Sequence, residues 1–365
     1  MKQKEYFGFE SMVNLNKVLK EEKAKNVFLV TGKKAYDSCG ARQAIERELG
    51  KSLYTQFFNF SPNPKIEEIR EGLKLFEKQR FDLIVAIGGG SVIDVAKAIK
   101  MFYFDNMGRK VPLVAIPTTA GTGSEATHFI VYYEGKEKQS VGKPELTLPE
   151  YSICDPTLTL SLPREIAAST AMDALSQAVE SYWSVNSTEE SKGYARESIK
   201  LIMDNLIVSV SGDRGAKEEI MRAANLAGKA INISKTTACH SISYPITSYF
   251  GVPHGHAAAL TLGKMLVYNS KVGVGDCLDK RGPKYVEQTI KELVEFLGES
   301  TPEKAEQKIT KLMEEIELAT RLSQLKMGLP EIKLILEKGF NPERVKNNPR
   351  LLTEEGLEEI LFALV

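Results

Sequence analysis

Two hydrophobic periods alternate along the first part of this chain, and then one of them stops. No other feature limits the possible folds as tightly. Residues 26–32 (NVFLVTG), 52–60 (SLYTQFFNF), 81–90 (FDLIVAIGGG) and 110–119 (KVPLVAIPTT) read as short strands rich in β-branched and aromatic side chains. Between them, 37–48, 65–79 and 91–102 carry apolar positions at helical spacing. Strand and helix in alternation predict a parallel sheet with helices on its faces, and such sheets bind ligands beyond the carboxyl ends of their strands. After Pro163 the strand period disappears. Helical segments follow near 164–184, 188–211, 215–233, 255–270, 284–297, 302–324, 330–338 and 354–364. An α/β domain over 1–160 and an all-helical domain over 161–365 are expected, with the boundary within 155–163. Residues 272–283 are expected as a surface loop.

Charge and cysteine content exclude several function classes. Lys plus Arg and Asp plus Glu each number 48, so the formal charge is zero. Without basic blocks, neither nucleic acid nor an anionic membrane is expected as the main partner. Any anion must be met by a local pocket. The N-terminal segment mixes charges, and no run approaches the roughly 20 apolar residues that span a bilayer, so a cytoplasmic protein is expected. Cys39, Cys154, Cys239 and Cys277 form no C-x-x-C pair and read as reduced thiols. Cys239, beside His240, is also open to a role as ligand or nucleophile.

Two loops at strand ends bear on ligands. Gly88, Gly89, Gly90 and Ser91 follow a strand and open a helix, where a glycine backbone and free N–H groups suit a pyrophosphate. Ser91 and Asp94 also fit an S-x-x-D capping box, which would turn them to the helix instead of a ligand. A second loop holds Thr118, Thr119, Gly121, Thr122, Gly123 and Ser124 after the next strand. Two such loops on consecutive strands point to a nucleotide cleft.

Histidine is scarce, yet three of the four fall within seventeen residues: His240, His254 and His256. Upstream, Asp173, Gln177 and Glu180 lie at i, i+4 and i+7 on one helix face. A carboxylate among small apolar neighbours is costly to bury without a partner. Asp173 with two imidazoles is an O/N/N set for a borderline divalent metal, with a position left for substrate.

The chain resembles the iron-containing (group III) alcohol dehydrogenase family. The resemblance rests on VFLVTG, PNP at 62–64, AIGGGSVIDVAKAI, IPTTAGTGSEAT, DP at 155–156, MDAL, the His240–His254 pair with PHG, and NNPR followed by TEEGLEEIL. It implies a Rossmann-like parallel-sheet domain plus a helical domain, the dehydroquinate synthase-like fold, with NADPH or NADH bound between the two. It also implies one divalent metal, Fe2+ or Zn2+, and a homodimer. Asp173, His240 and His254 match family ligands, whereas Gln177 stands where most members carry His. Tyr244 stands where many carry another His associated with proton relay, a role also open to His256. Lys138 would reach the nicotinamide side, and Gly32 replaces an Asp that reads the adenosine ribose in NAD-specific members. With Lys33 and Lys34 beside it, a 2′-phosphate is accommodated.

Residues 173–188 and 233–257 are further similar to phosphonoacetaldehyde reductases, which implies a small aldehyde with an anionic tail. Lys235, with Thr236, Thr237 and Ser241, would supply a cation and hydroxyls for it, unless Lys235 is only a solvated helix-end charge. Hydride transfer to the aldehyde is the expected reaction. A dehydroquinate synthase-like lyase and a non-catalytic binding protein are the rival classes.

Overall fold

The computed structural model describes residues 3–50 and 52–365; Met1 and Lys2, which begin the mixed-charge N-terminal segment, lie outside it. The chain divides into two compact units, one ending at Leu162 and the other spanning Pro163–Val365.

In the first unit the strands are β1 (Lys4–Phe7), β2 (Asn26–Thr31), β3 (Leu53–Phe57), β4 (Leu83–Gly88), β5 (Leu113–Pro117), β6 (Ile130–Glu134), β7 (Glu137–Val141) and β8 (Tyr151–Cys154). The helices are α1 (Asn14–Glu21), α2 (Ala35–Ser38), α3 (Ala41–Leu49), α4 (Ile66–Glu77), α5 (Gly90–Met107) and α6 (Pro144–Thr147). Six strands form one parallel sheet in the order β1-β8-β5-β4-β2-β3, while β6 and β7 pair as a separate hairpin. The central strands are continuous apolar runs because helices cover both sheet faces. Phe28, Phe76, Phe81 and Ile99 pack on one face, and Val27, Leu29, Ile45 and Val85 on the other. Strand order reverses between β2 and β4, which sets the ligand crevice at their carboxyl ends. Gly32 and the three-glycine loop stand there.

The second unit is helical, as its lost strand period predicts. Its helices are α7 (Arg164–Trp183), α8 (Glu189–Val210), α9 (Arg214–Ser234), α10 (Ala238–Phe250), α11 (His254–Ser270), α12 (Pro283–Phe296), α13 (Pro302–Glu315), α14 (Leu329–Lys338), α15 (Pro342–Val345) and α16 (Glu354–Phe362). Among the described residues, no helix is long and apolar enough to cross a membrane. Helix α7 is buried over nearly its whole circumference from Ala168 to Trp183. It packs against α8, α9 and α11. Its polar residues Ser169, Asp173, Ser176, Gln177, Glu180 and Ser181 are therefore all inside the protein, and each needs a partner.

Several boundaries differ from the sequence pattern. The segment 37–48 splits at Gly40, whose φ of 79° ends one helix and opens the next. The segment 302–324 stops as a helix at Glu315, and Glu317 beyond it has a φ of 64°. Strands β1, β6, β7 and β8 and helices α1, α6, α10 and α15 have no counterpart in that pattern.

Candidate active site

In the first unit the glycine loop is shaped by close packing. A Cβ on Gly88 would lie 2.4 Å from Val92 Cγ2, and one on Gly90 would lie 2.8 Å from the Thr122 side chain. Neither glycine has a positive φ, so what the loop requires at these positions is missing atoms. Thr118 N–H donates to the Gly88 carbonyl at 3.0 Å, which joins the two strand-end loops. Thr119 lies against Gly89, at 3.4 Å from its would-be Cβ. Gly32 is less constrained, with Val92 at 3.8 Å from its would-be Cβ; Lys33 and Lys34 after it are exposed.

The capping-box expectation is corrected. Gly89 is the N-cap of α5, and Ser91, two residues past the cap, donates its hydroxyl to the Pro62 carbonyl. Asp94 is also turned away from a direct ligand role. Its buried carboxylate accepts from Ser124 Oγ at 2.6 Å and from Val131 N–H at 3.0 Å, and Lys97 Nζ lies 3.8 Å away. Lys97 Nζ donates to Ser124 Oγ, Thr127 Oγ1 and the Phe129 carbonyl. Burial lowers the Lys97 pKa to about 8 and raises that of Asp94. The pair braces the second loop from behind. Lys138 sits on β7 close enough for its charge to act on Asp94.

In the second unit, α7, α10 and α11 bring Asp173, His240 and His254 together, with one ligand atom of each within 4.8 Å of the others. The approach of α11 is set by Gly255. A Cβ there would lie 2.1 Å from the Ser169 carbonyl and 2.6 Å from Asp173 Cβ. Only glycine lets the first turn of α11 come down beside Asp173. Gly251, with a φ of 71°, ends α10 and makes the turn between the two histidines.

Each histidine is oriented through its Nδ1. Glu180 Oε2 binds His240 Nδ1, while Glu180 Oε1 accepts from Thr237 Oγ1 and Cys239 N–H. Ser243 Oγ gives its proton to the His240 carbonyl and lies 3.3 Å from His254 Nδ1, from which it can accept. Both contacts leave Nε2 to face the centre. His240 Nε2 is 3.4 Å from Asp173 Oδ1. Burial opposes a charged His240, but Glu180 and Asp173 outweigh it and raise the pKa to about 9. Burial likewise opposes a charged Glu180, and His240 with the donors around it holds that carboxyl below its usual range. Asp173 Oδ1, Gln177 Oε1 and His240 Nε2 are buried and make no hydrogen bond, whereas Gln177 Nε2 donates to Asp173 Oδ2 at 3.2 Å. Three such atoms beside a convergent histidine fit a divalent cation.

A scan against family models places residues 3–156 in "Iron-containing alcohol dehydrogenase" and 167–365 in "Fe-containing alcohol dehydrogenase family, C-terminal". The chain belongs to the iron-containing alcohol dehydrogenase family. It is 33% identical over 305 residues to a phosphonoacetaldehyde reductase of Streptomyces viridochromogenes, covering 77% of this chain and 76% of that one. It is 32% identical over 349 residues to aldehyde-alcohol dehydrogenase 2 of Entamoeba histolytica, covering 84% of this chain and 39% of that longer protein. Among solved structures it is similar to the NAD+ complex of sulfoacetaldehyde reductase from Bifidobacterium kashiwanohense. That match has a TM-score of 0.87 and 28% identity, with 99% and 96% of the two chains covered. The family's members are metal- and nicotinamide-dependent oxidoreductases, as the motifs predict.

Family motifs without an obvious chemical role hold the frame. Asp155 of the DP pair accepts from the N–H groups of Glu10, Met12 and Thr157. In the PNP segment, the Pro64 carbonyl accepts from Tyr133 N–H. In NNPR, Asn347 Nδ2 donates to the Thr236 carbonyl and Arg350 pairs with Asp276 at 2.6 Å.

Other expected site residues are placed differently. His256 is two residues past His254 and so points to another side of α11, where its Nε2 meets the Ala319 carbonyl at 2.7 Å. Burial lowers its pKa, and the structure does not bring it into the metal cluster. Lys235 is exposed at the end of α9, with a φ of 64°. Thr237 gives its hydroxyl proton to Glu180 and accepts from Trp183 Nε1; Ser241 bonds the Gly339 carbonyl and Asn341 N–H. Those two hydroxyls serve the protein itself. Cys239 is wholly buried, and burial with Glu180 pushes its thiol pKa up, which leaves it inert. Tyr244 does stand at the site, its ring 6.2 Å from that of His254. Its hydroxyl accepts from Arg344 Nε at 3.1 Å. The sequence pattern did not single out Arg344, since one hundred residues separate it from Tyr244.

Proposed function

We propose that the chain catalyses the NAD(P)H-dependent, metal-assisted reduction of an aldehyde to a primary alcohol, with phosphonoacetaldehyde, reduced to 2-hydroxyethylphosphonate, as substrate. The observation that carries the chemistry is the convergence of Asp173, His240 and His254 with both imidazole Nδ1 atoms already engaged. A divalent metal there, Fe2+ or Zn2+, supplies Lewis-acid polarisation of the carbonyl oxygen. Asp173 contributes the anionic ligand, and Gln177 offers a neutral amide oxygen as a fourth donor. Glu180 and Ser243 fix the tautomer and direction of the two rings. Tyr244, or a ribose hydroxyl of the cofactor, would pass the proton to the product oxygen.

The first unit carries the cofactor reading. Gly88, Gly89, Gly90 and Ser91, at the start of α5, suit the pyrophosphate; Thr118, Thr119 and Thr122 line the cleft, with Lys138 toward the nicotinamide by family analogy. Exposed Lys33 and Lys34 after Gly32 support use of NADPH at least as readily as NADH. The anionic tail is supported by the Streptomyces relative and the Bifidobacterium neighbour, named for aldehydes bearing a phosphonate and a sulfonate. The active species is a homodimer of a cytoplasmic protein.

An NADPH-oxidation screen tests this. It sets phosphonoacetaldehyde and sulfoacetaldehyde against neutral aldehydes, with added Fe2+, Zn2+ or Mn2+. Faster turnover of the anionic aldehydes is expected. Equal rates on neutral ones would leave a general alcohol dehydrogenase, and turnover without net NADPH oxidation would point to a lyase.

A further inference from the structure

We propose that Arg344, braced by Tyr244, is the residue that receives the anionic tail of the aldehyde and so sets substrate choice; this rests on the proposed preference for an anionic aldehyde. Contacts run from the metal centre outward to this guanidinium. The His240 and His254 rings lie 5.3 Å apart, Tyr244 lies 6.2 Å from His254, and the Tyr244 hydroxyl accepts from Arg344 Nε. Arg344 is half-buried, so its charge is less screened than that of exposed Lys235.

The placement is fixed from several sides. Ser241, the residue after His240, gives its hydroxyl proton to the Gly339 carbonyl and accepts from Asn341 N–H. Arg344 N–H and Val345 N–H both donate to the Asn341 carbonyl. Asn347, three residues on, is held by the Thr236 carbonyl through its side chain and by Val185 N–H through its own carbonyl. The guanidinium is thereby carried on a turn pinned to the start of α10, the helix that supplies His240.

Engaging Nε with the tyrosine hydroxyl orients the plane of the guanidinium. Its outer Nη edge then has the fork geometry that matches two oxygens of a phosphonate or sulfonate. The tail carries the same charge in aldehyde and alcohol, so this contact is made equally in ground and transition states. Its loss should raise KM more than it lowers kcat.

The test uses the metal-loaded full chain with phosphonoacetaldehyde and with 3,3-dimethylbutanal, whose tert-butyl group replaces the phosphonate without charge. The readout is the ratio of the two kcat/KM values. Arg344→Met should lower that ratio roughly 10- to 100-fold, mainly through KM for the anion. Arg344→Lys, which keeps charge and loses the fork, should fall between wild type and Arg344→Met, as should Tyr244→Phe. Inhibition by 2-hydroxyethylphosphonate should weaken in step. A wild-type ratio near one would overturn the anionic reading and this proposal together. A high wild-type ratio that persists in Arg344→Met would overturn this proposal alone. If Arg344→Met fails to fold, Arg344→Lys and Tyr244→Phe decide on the same ratio, and an unchanged ratio in both overturns it.

Discussion

The glycine loop of the first unit and the candidate metal centre of the second are built on opposite physical plans. Around Gly88 and Gly90 the structure depends on atoms that are missing, since a single methyl group at either position meets Val92 or Thr122. Around His240 it depends on atoms that are present and used more than once. Glu180 alone serves the His240 ring, the Thr237 hydroxyl and the Cys239 amide. A backbone site for phosphate needs approach, which any side chain obstructs. A metal site needs charge inside a low-dielectric interior, which is tolerable only where every buried group is matched. The first plan should fail when atoms are added, the second when they are removed.

The largest expected effect comes from Glu180→Gln, which keeps shape and removes the charge behind His240. Metal affinity should fall by about 10- to 100-fold, measured by chelator competition on the loaded protein. Unchanged affinity would mean that Glu180 serves only packing. Next comes Gly90→Ala. Contact with Thr122 should cost roughly 1–3 kcal/mol in denaturant unfolding. Adding Thr122→Ala should return most of that stability, because the two sites share one contact. If NADPH affinity stays low in the double variant, the backbone at Gly90 meets the cofactor as well as Thr122; if it recovers, packing alone explains the glycine.

A smaller effect concerns the Asp94–Lys97 brace of the first unit, a place where that unit borrows the second plan. Lys97 has a pKa of about 8 when folded, against 10.5 ordinarily. Between those values the unfolded chain binds more protons, so this group makes stability rise with pH from about 8 to 10.5 and penalises folding below that window. Subtracting the stability curve of Lys97→Met from that of wild type should show this rise. A flat difference would mean that Lys97 stays charged and fully compensated by Asp94 and its oxygen partners.

How much of this was legible in the sequence follows from the same contrast. The buried central strands and the long helices of the second unit announce themselves by period, and Asp173, His240 and His254 stand out because histidine is so scarce. Strand β1 reads Lys-Glu-Tyr-Phe because it is an edge strand with half its side chains in water, and β8 is only four residues long. Helix α10 is rich in serine, threonine and β-branched residues and contains Pro245, so its own propensity argues against it; burial against α11 and α14 overrides that. Glu180 was visible as part of a helix face, but its bond to His240 crosses sixty residues. The pairing of Arg344 with Tyr244 crosses one hundred. Period reports which face is buried and is silent on which distant side chain meets it.

Lys235 gives the smallest effect, and it probes a point in the second unit where backbone geometry takes precedence over side-chain matching. Helix α9 ends at Ser234, whose hydroxyl is bonded to Ser181 and to the Ala230 carbonyl, and Thr237 is already tied to Glu180. Between these anchors the chain turns through Lys235, at φ 64° and ψ 166°, a conformation that glycine adopts readily and lysine does not. Lys235→Gly should therefore stabilise the protein by about 1 kcal/mol, a rise in Tm on the order of 2–4 °C. The same variant, assayed for preference between phosphonoacetaldehyde and 3,3-dimethylbutanal, separates two reasons for a lysine in a glycine-like conformation. If Tm rises and the preference holds, the charge that recognises the tail lies elsewhere, and Arg344 is the residue placed to supply it. If Tm rises and the preference collapses, the strained backbone is retained because Lys235 itself meets the anion, and the cation tied to Tyr244 loses that role.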